Sequence, residues 1–419
     1  MSVNHNTYLK KEILTHIVNT CSSLACIIEL NRELLLNELL LYESFETAND
    51  ELSHSTDCLK NISKELKWLS YGKVDLLCTI IPVNLPLYSL IIFAVIPGFM
   101  ANEVIVRPPI LTRKIFQKIL EIINLQKIMP HVKFIDIDRG LFAEAYVSIA
   151  DVVIFTGRYE NAKVVQKVCP NALFIYDGTG INPIIIAESA ELDDAVQKTI
   201  FTRVFNGGQD CAGPDIIFVH ENIIDLFKQK LLEEIEKIKV GDYRDHLVRV
   251  GKLLKPDNMS KVEDFFKMHI KSLVYGGKID FQKEIIYPTV IIENVKENNY
   301  LKTVEFFSPV FYIVTYQDIK DLNNYFSQRR YSDSAMYVSI FGNTPPTFMI
   351  PNSVILKNQI INDVEQGNEP YGGYGPKANY VSYDGISYSR PLLISHEIHN
   401  FIKNRSLKKE ATVIHSSVQ

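Results

Sequence analysis

The sequence has few of the residues that tie a chain together through covalent or metal links. Its 419 residues include six cysteines (21, 26, 58, 78, 169 and 211), none in a CxxC pair or beside a histidine at ligand spacing. This argues against a disulfide framework and against a zinc site. The ten histidines fall singly, with no HExxH pair, so no metal ligands are assigned. Basic charge is not in excess either: 44 Lys and Arg against 49 Asp and Glu leave a formal net charge of −5. A nucleic-acid binder needs a basic face to neutralise phosphates. The short cluster KNRSLKK (403–409) reads as solvated surface. No uninterrupted apolar run reaches a membrane span. The nearest, LPLYSLIIFAVIPGFMA (85–101), carries Pro86 and Pro97 and reads as a buried helix. The N-terminus alternates charged and apolar residues at helical spacing, without the apolar core and cleavage site of a signal peptide. A reducing, cytoplasmic location with free thiols and no membrane contact is expected.

What is present is an alternation of helices and strands. Leu and Ile at three- and four-residue steps make residues 1 to about 70 helical. After Gly72, VDLLCTIIP, NEVIVRPP, VKFIDID, DVVIFTG and ALFIYDG read as strands. Between them lie the helical stretches PLYSLIIFAVIPGFMA, RKIFQKILEIINL and NAKVVQKVC. This order makes βαβ units and a parallel sheet covered on both faces. Such doubly wound sheets bind ligands beyond the carboxyl ends of their strands. A second α/β pattern begins near residue 184, with helices DDAVQKTIFTRVF and IIDLFKQKLLEEIEKI and strands IIFVH, PTVIIE, PVFYIVTY and AMYVSIF. The expected fold class is α/β: a doubly wound parallel-sheet domain, then a second α/β domain. The divisions fall at 1–180, 181–376 and 377–419, the last segment returning to the first domain. GNEPYGGYGPKANY (367–380), with four glycines and two prolines, is a loop on the surface or lining a cleft.

The candidate chemistry centres on NGGQDCAGPDIIFVH (206–220). Glycines there let the backbone approach a ligand closely, and a thiol at a turn between helix and strand is either a nucleophile or one more small buried side chain. A nucleophilic thiolate is favoured near cations or oriented N–H groups, and such a Cys211 would alkylate ahead of the other five cysteines. Asn84 is a polar residue between two prolines at a strand end. Asp177 opens a Gly-Thr-Gly turn, which Asp caps well. Glu305 precedes a strand, where a solvated acid is ordinary.

Read together, these segments resemble the aldehyde dehydrogenase superfamily, as a divergent and shorter member. The cysteine run is followed by a strand ending in Val-His, an amphipathic helix and IKVGD (238–242). IPVNLPL (81–87) resembles the family's Pro-Trp-Asn-Phe-Pro motif with Val83 in the Trp place. FTG (155–157) is similar to the start of its cofactor turn, and DGTGINPIIIAESAELDDAV (177–196) to its Glu-Leu-Gly-Gly-Lys segment. EFFSPVF (305–311) and PYGGYG (370–375) match two further motifs, so the resemblance runs from about residue 70 onward.

The resemblance implies a dinucleotide-binding domain over 1–180, after its N-terminal helices, and a catalytic domain over 181–376. It implies NAD or NADP as cofactor, Cys211 as nucleophile and Asn84 as oxyanion donor. Ile81, Thr156, Gly157, Gly178, Glu305 and Phe307 would be cofactor contacts. Arg107, with Ile110 where relatives carry an acid, adds attraction for a 2′-phosphate and makes NADP a candidate. The cofactor turn departs from the pattern: Arg158 replaces a small residue and Ala162 a glycine. Asp177 stands where hydrolytic relatives have Glu, a shorter reach for a general base. It is a weakly placed base, an adaptation to acyl-group reduction, or a turn cap. Three functions follow: oxidation of an aldehyde to an acid, reduction of an acyl thioester to an aldehyde, or a catalytically reduced binding or assembly partner. The terminal EATVIHSSVQ is a candidate strand for a homodimer.

Overall fold

The computed structural model describes residues 2–295, 305–345 and 348–416, with side chains for 10–295, 305–345 and 348–407. Two seven-stranded sheets organise it. The first holds β1 (Val74–Ile80), β2 (Ala101–Arg107), β3 (Val132–Phe134), β4 (Val152–Gly157) and β5 (Leu173–Gly178). These run parallel in the order β5-β4-β1-β2-β3. Strand order reverses beside β1, the geometry that leaves a crevice at the carboxyl ends. The hairpin Asn379–Tyr383 and Ile386–Tyr388 extends this sheet antiparallel to β5, pairing Asn379 with Asp177.

β1 and β4 are rich in Val, Ile and Leu because both faces of a central parallel strand are covered. One face packs on helices Ser2–Leu30, Phe45–Lys60 and Arg113–Ile123, the other on Arg139–Ala145 and Tyr159–Gln166. Leu24, Ile28 and Leu52 are fully buried there, each stabilising by about 2 kcal/mol. Every residue from Pro86 to Met100 is buried, so the most apolar run in the sequence is a core helix. The stretch Lys10–Leu30 is long and apolar enough to cross a membrane by length and composition, with mean hydropathy 1.5. Its Ile17, Cys21, Leu24, Ala25 and Ile28 pack into the first core.

The second sheet contains β6 (Ile184–Ile186) and β7 (Ile217–His220), and then the strands Leu273–Tyr275, Thr289–Asn294, Val310–Tyr316, Tyr337–Phe341 and Val354–Lys357. All are parallel except the edge strand 273–275. Helices Leu192–Val204 and Ile224–Ile235 cover one face, Met259–Met268 and Ile319–Phe326 the other.

Two expectations are corrected. VKFIDID yields only a three-residue strand: Ile135 N makes a last bond to the Val106 carbonyl at 3.0 Å, and the chain beyond it leaves the sheet edge. The segment 410–416, expected as a strand, continues the helix Ile394–Ser416. The chain after the 379–388 hairpin returns as that helix across Leu66–Leu69 and β5. Residues 417–419 of the expected strand lie outside the described residues.

Candidate active site

β1 hands the chain to Ile81–Pro82–Val83–Asn84, and Leu85 turns it with φ 49° into the helix beginning at Pro86. Pro at the first helical position lacks an N–H that would be unpartnered anyway. Glu51 accepts from the free donors that follow, Leu87 N and Tyr88 N, the latter 2.9 Å from its Oε1. Asn84 is thereby fixed between a strand end and a carboxylate-capped helix start.

The cysteine loop is held as firmly. Helix 192–204 ends in three residues of positive φ: Asn206, Gly207 and Gly208. A Cβ on Gly208 would lie 2.4 Å from the Ser308 carbonyl carbon, so only glycine brings this loop against the 305–309 segment. The buried Arg203 donates to the carbonyls of Gly208 at 2.6 Å and Pro214 at 2.7 Å, spanning the loop from beneath. Asn182 Nδ2 donates to the Cys211 carbonyl at 2.8 Å, and Leu254 N to Gln209 Oε1 at 2.6 Å.

These elements enclose a cavity of about 480 Å³, within the range of small-molecule sites. Cys211, Asn84 and Asp177 all line it, as do Ile81, Thr156, Gly157, Gly178, Glu305 and Phe307. Arg107 is placed elsewhere: it does not line the cavity, and its Nε donates to the Ile137 carbonyl at 3.3 Å. Lining residues that sequence reasoning had not singled out include Asp50, Glu51, His54, Asp210, Lys255 and Glu365. Three of these come from the N-terminal helix Phe45–Lys60, far from any motif. The signal that could have found them is a carboxylate, Glu51, on the buried face that carries Thr47, Ser55 and Cys58.

Carboxylates dominate the electrostatics. Burial pushes the Cys211 thiol well above its ordinary pKa, and Asp210, Asp177, Glu365 and Glu305 push it further. This environment disfavours the thiolate, because the charged groups acting on the sulfur are acids rather than cations. Asp177 is raised to about 7, mainly by burial, with Glu365 adding to the effect. Its Oδ1 is buried without a hydrogen-bond partner. Glu305 is raised by burial and pulled back by Lys255, Arg158 and Arg203.

This fold recurs in known proteins. The aldehyde dehydrogenase family model matches residues 51–375. The chain belongs to the aldehyde dehydrogenase family. Lactaldehyde dehydrogenase of Methanococcus maripaludis (strain C5) is 26% identical over 344 residues, covering 74% of this chain and 68% of that one. Human 2-aminomuconic semialdehyde dehydrogenase is 28% identical over 298 residues, 66% of this chain and 60% of that one. Among solved structures, glyceraldehyde-3-phosphate dehydrogenase GapN from Methanocaldococcus jannaschii, complexed with NADP, superposes with a TM-score of 0.77. It is 19% identical and covers 93% of this chain and 90% of that one. Succinic semialdehyde dehydrogenase from Streptococcus pyogenes, with NADP+, gives a TM-score of 0.74 at 16% identity, with 92% and 93% covered.

As a member of this family the chain is an oxidoreductase that uses NAD or NADP. Its residues fit such a cofactor. Gly157 has φ 138°, a backbone conformation that residues with a side chain rarely adopt, and it precedes the open N-terminus of helix Tyr159–Gln166, where N–H groups favour anions. Glu305 and Phe307 line the same cavity, with Lys255 Nζ 5.5 Å from the Phe307 ring centre. Glu305 would accept from ribose hydroxyls, and Arg158 and Lys255 supply cations toward phosphate. When bound, the cofactor supplies the hydride acceptor.

Proposed function

We propose that this chain oxidises an aldehyde to a carboxylic acid through a covalent adduct on Cys211. The sulfur adds to the carbonyl carbon as its proton passes to the Asp210 carboxylate, which accepts from the Cys211 thiol, and the oxygen gains negative charge. The Asn84 amide and the Cys211 backbone N–H donate to that oxygen; an amide suits because it adds no titrating charge. Loss of hydride to the cofactor leaves a thioester on Cys211. Asp177 then takes a proton from the water that attacks it, releasing the acid and restoring the thiol.

The observation that carries this reading is the convergence of Cys211, Asn84, Asp177 and Glu305 on one cavity. Oxidation is favoured over acyl reduction by the free Oδ1 of Asp177 and its pKa of about 7, which suits a base working near neutrality. The test supplies an aldehyde with NAD or NADP, and separately an acyl-CoA with NADPH, to the protein and to Cys211→Ala. Acid formation by the wild type and its loss in the variant are expected. Turnover only with acyl-CoA would reverse the direction. Turnover unaffected by Cys211→Ala would remove the thiol from the mechanism.

A further inference from the structure

We propose that Asn182 is a positioning residue for the nucleophile: its side-chain amide holds the Cys211 carbonyl out of the space in which the oxyanion forms. This rests on the reading of Cys211 as the sulfur that attacks an aldehyde. Residues Asp210 to Gly213 make a four-residue turn, closed by Gly213 N donating to the Asp210 carbonyl at 3.2 Å. Cys211 and Ala212 are its central residues, and both line the cavity. Turn types differ in the rotation of the peptide between the central residues, so the turn by itself does not fix that peptide. Its orientation matters here. The Cys211 N–H must face the developing negative oxygen, whereas the Cys211 carbonyl, an acceptor only, would repel that oxygen if it swung into the cavity. Two side chains settle the orientation. Asn182 Nδ2 donates to the Cys211 carbonyl at 2.8 Å, and Asp210 Oδ1 accepts from Ala212 N at 3.3 Å.

Asn182 is itself held in one orientation. It is 4% exposed and does not line the cavity, so its bond draws the Cys211 oxygen away from the reacting atoms. The Asn182 backbone N–H donates to Asp215 Oδ2 at 3.0 Å, and its Oδ1 accepts from Tyr337 N at 3.3 Å. Tyr337 lines the cavity as well, and its hydroxyl accepts from Gly372 N at 2.5 Å. The amide therefore has one end that must accept and one that must donate, which an asparagine side chain supplies and a carboxylate does not. The hold also persists through the chemical step. When Asp210 takes the thiol proton its carboxyl loses charge, and its bond to Ala212 N weakens. Asn182 does not titrate, and it keeps the peptide in place while the oxyanion develops.

The test measures single-turnover formation of NADH or NADPH from an aldehyde by the wild type, Asn182→Ala and Asn182→Asp. Asn182→Ala should slow that step on the order of tenfold, less than the loss of an oxyanion donor itself. Cofactor Kd and aldehyde KM should stay within about twofold of the wild type, since the lost interaction acts only in the transition state. Asn182→Asp adds a pH profile that a packing defect would not show. A protonated carboxyl donates one O–H, whereas an ionised one only accepts. Its rate relative to the wild type should therefore fall as pH rises from about 5.5 to about 8.5. An Asn182→Ala rate equal to the wild type, a loss matched by weaker cofactor binding, or an Asn182→Asp ratio independent of pH overturns the proposal and leaves aldehyde oxidation standing. If the wild type oxidises no aldehyde with either cofactor, the function reading fails instead, and hydrogen exchange over 206–216 decides the role of Asn182. Faster exchange there in Asn182→Ala, with the strand 217–220 unchanged, supports the hold; unchanged exchange, or a rise spread over both segments, overturns it.

Discussion

Cys211 is half-buried and ringed by acids, whereas Cys26 is exposed on the N-terminal helix. Iodoacetamide at neutral pH should therefore label Cys26 first, and Cys211 should lag until the pH is raised. Peptide mapping of the order of labelling, with and without NAD, measures this; Cys211 leading in the free protein would contradict the charge pattern. Asp177 sets a second expectation. Its carboxyl is raised to about 7, and only the carboxylate can take a proton from water. Single-turnover acid release should rise through pH 7 and level off above it. Asp177→Asn should stop that release and leave the thioester trapped on the enzyme, detectable as a mass increment on the Cys211 peptide. Release unaffected by the substitution would make Asp177 a turn residue.

Among the elements, the helix that starts at Pro86 connects burial to catalysis most directly. Glu51 accepts from Tyr88 N at 2.9 Å, and this cap holds the turn carrying Asn84. Removing it in Glu51→Ala should cost about 1 kcal/mol and lower kcat more than it raises KM, because Asn84 acts on the developing oxyanion; a urea titration alongside steady-state kinetics separates the two effects. The loop elements behave differently. In Gly208→Ala the new methyl meets the backbone of Ser308, and both stability and activity should fall; full retention of both would show that the 305–309 segment yields. Element by element, the sequence was most legible where one physical rule dominated. β1, β2, β4 and β5 are runs of apolar residues between turn signals, and Cys211, Asn84 and Glu305 stand in recognisable local motifs. Ile184–Ile186 was harder to read, since three apolar residues carry no period. The hairpin 379–388 hides behind a glycine-rich loop and mixes polar residues through both strands. Asp50, Glu51, His54 and Glu365 were illegible for another reason: they reach the cavity only through packing of the N-terminal helices and the 361–371 segment, and no local pattern records that contact.

At the scale of the whole molecule, the concentration of acids at the cavity makes stability depend on pH in an unusual direction. Asp177, Glu51 and Glu365 at the cavity are raised to about 7, and Asp215, buried outside its lining, to about 8, in each case chiefly by burial. In the unfolded chain the same groups titrate near 4. Between those values the folded state holds more protons than the unfolded state, so stability is fully present below the unfolded values and is lost as pH rises through 7 and 8. The opposite flank comes from Asp242, lowered to about 2 by Arg244, and from Asp151, lowered by Arg405 and two backbone donors. Their contributions disappear only as pH falls through those depressed values, and exposed pairs of this kind contribute little. Thermal unfolding should therefore show a maximum in Tm at mildly acidic pH, with Tm at about pH 5.5 exceeding that at about pH 8.5 by on the order of 2 °C or more. Differential scanning calorimetry across that range measures it, and a Tm that is flat or rises toward pH 8.5 would show that the buried acids ionise at no cost. The buried acids thus set the pH range in which the molecule is most stable.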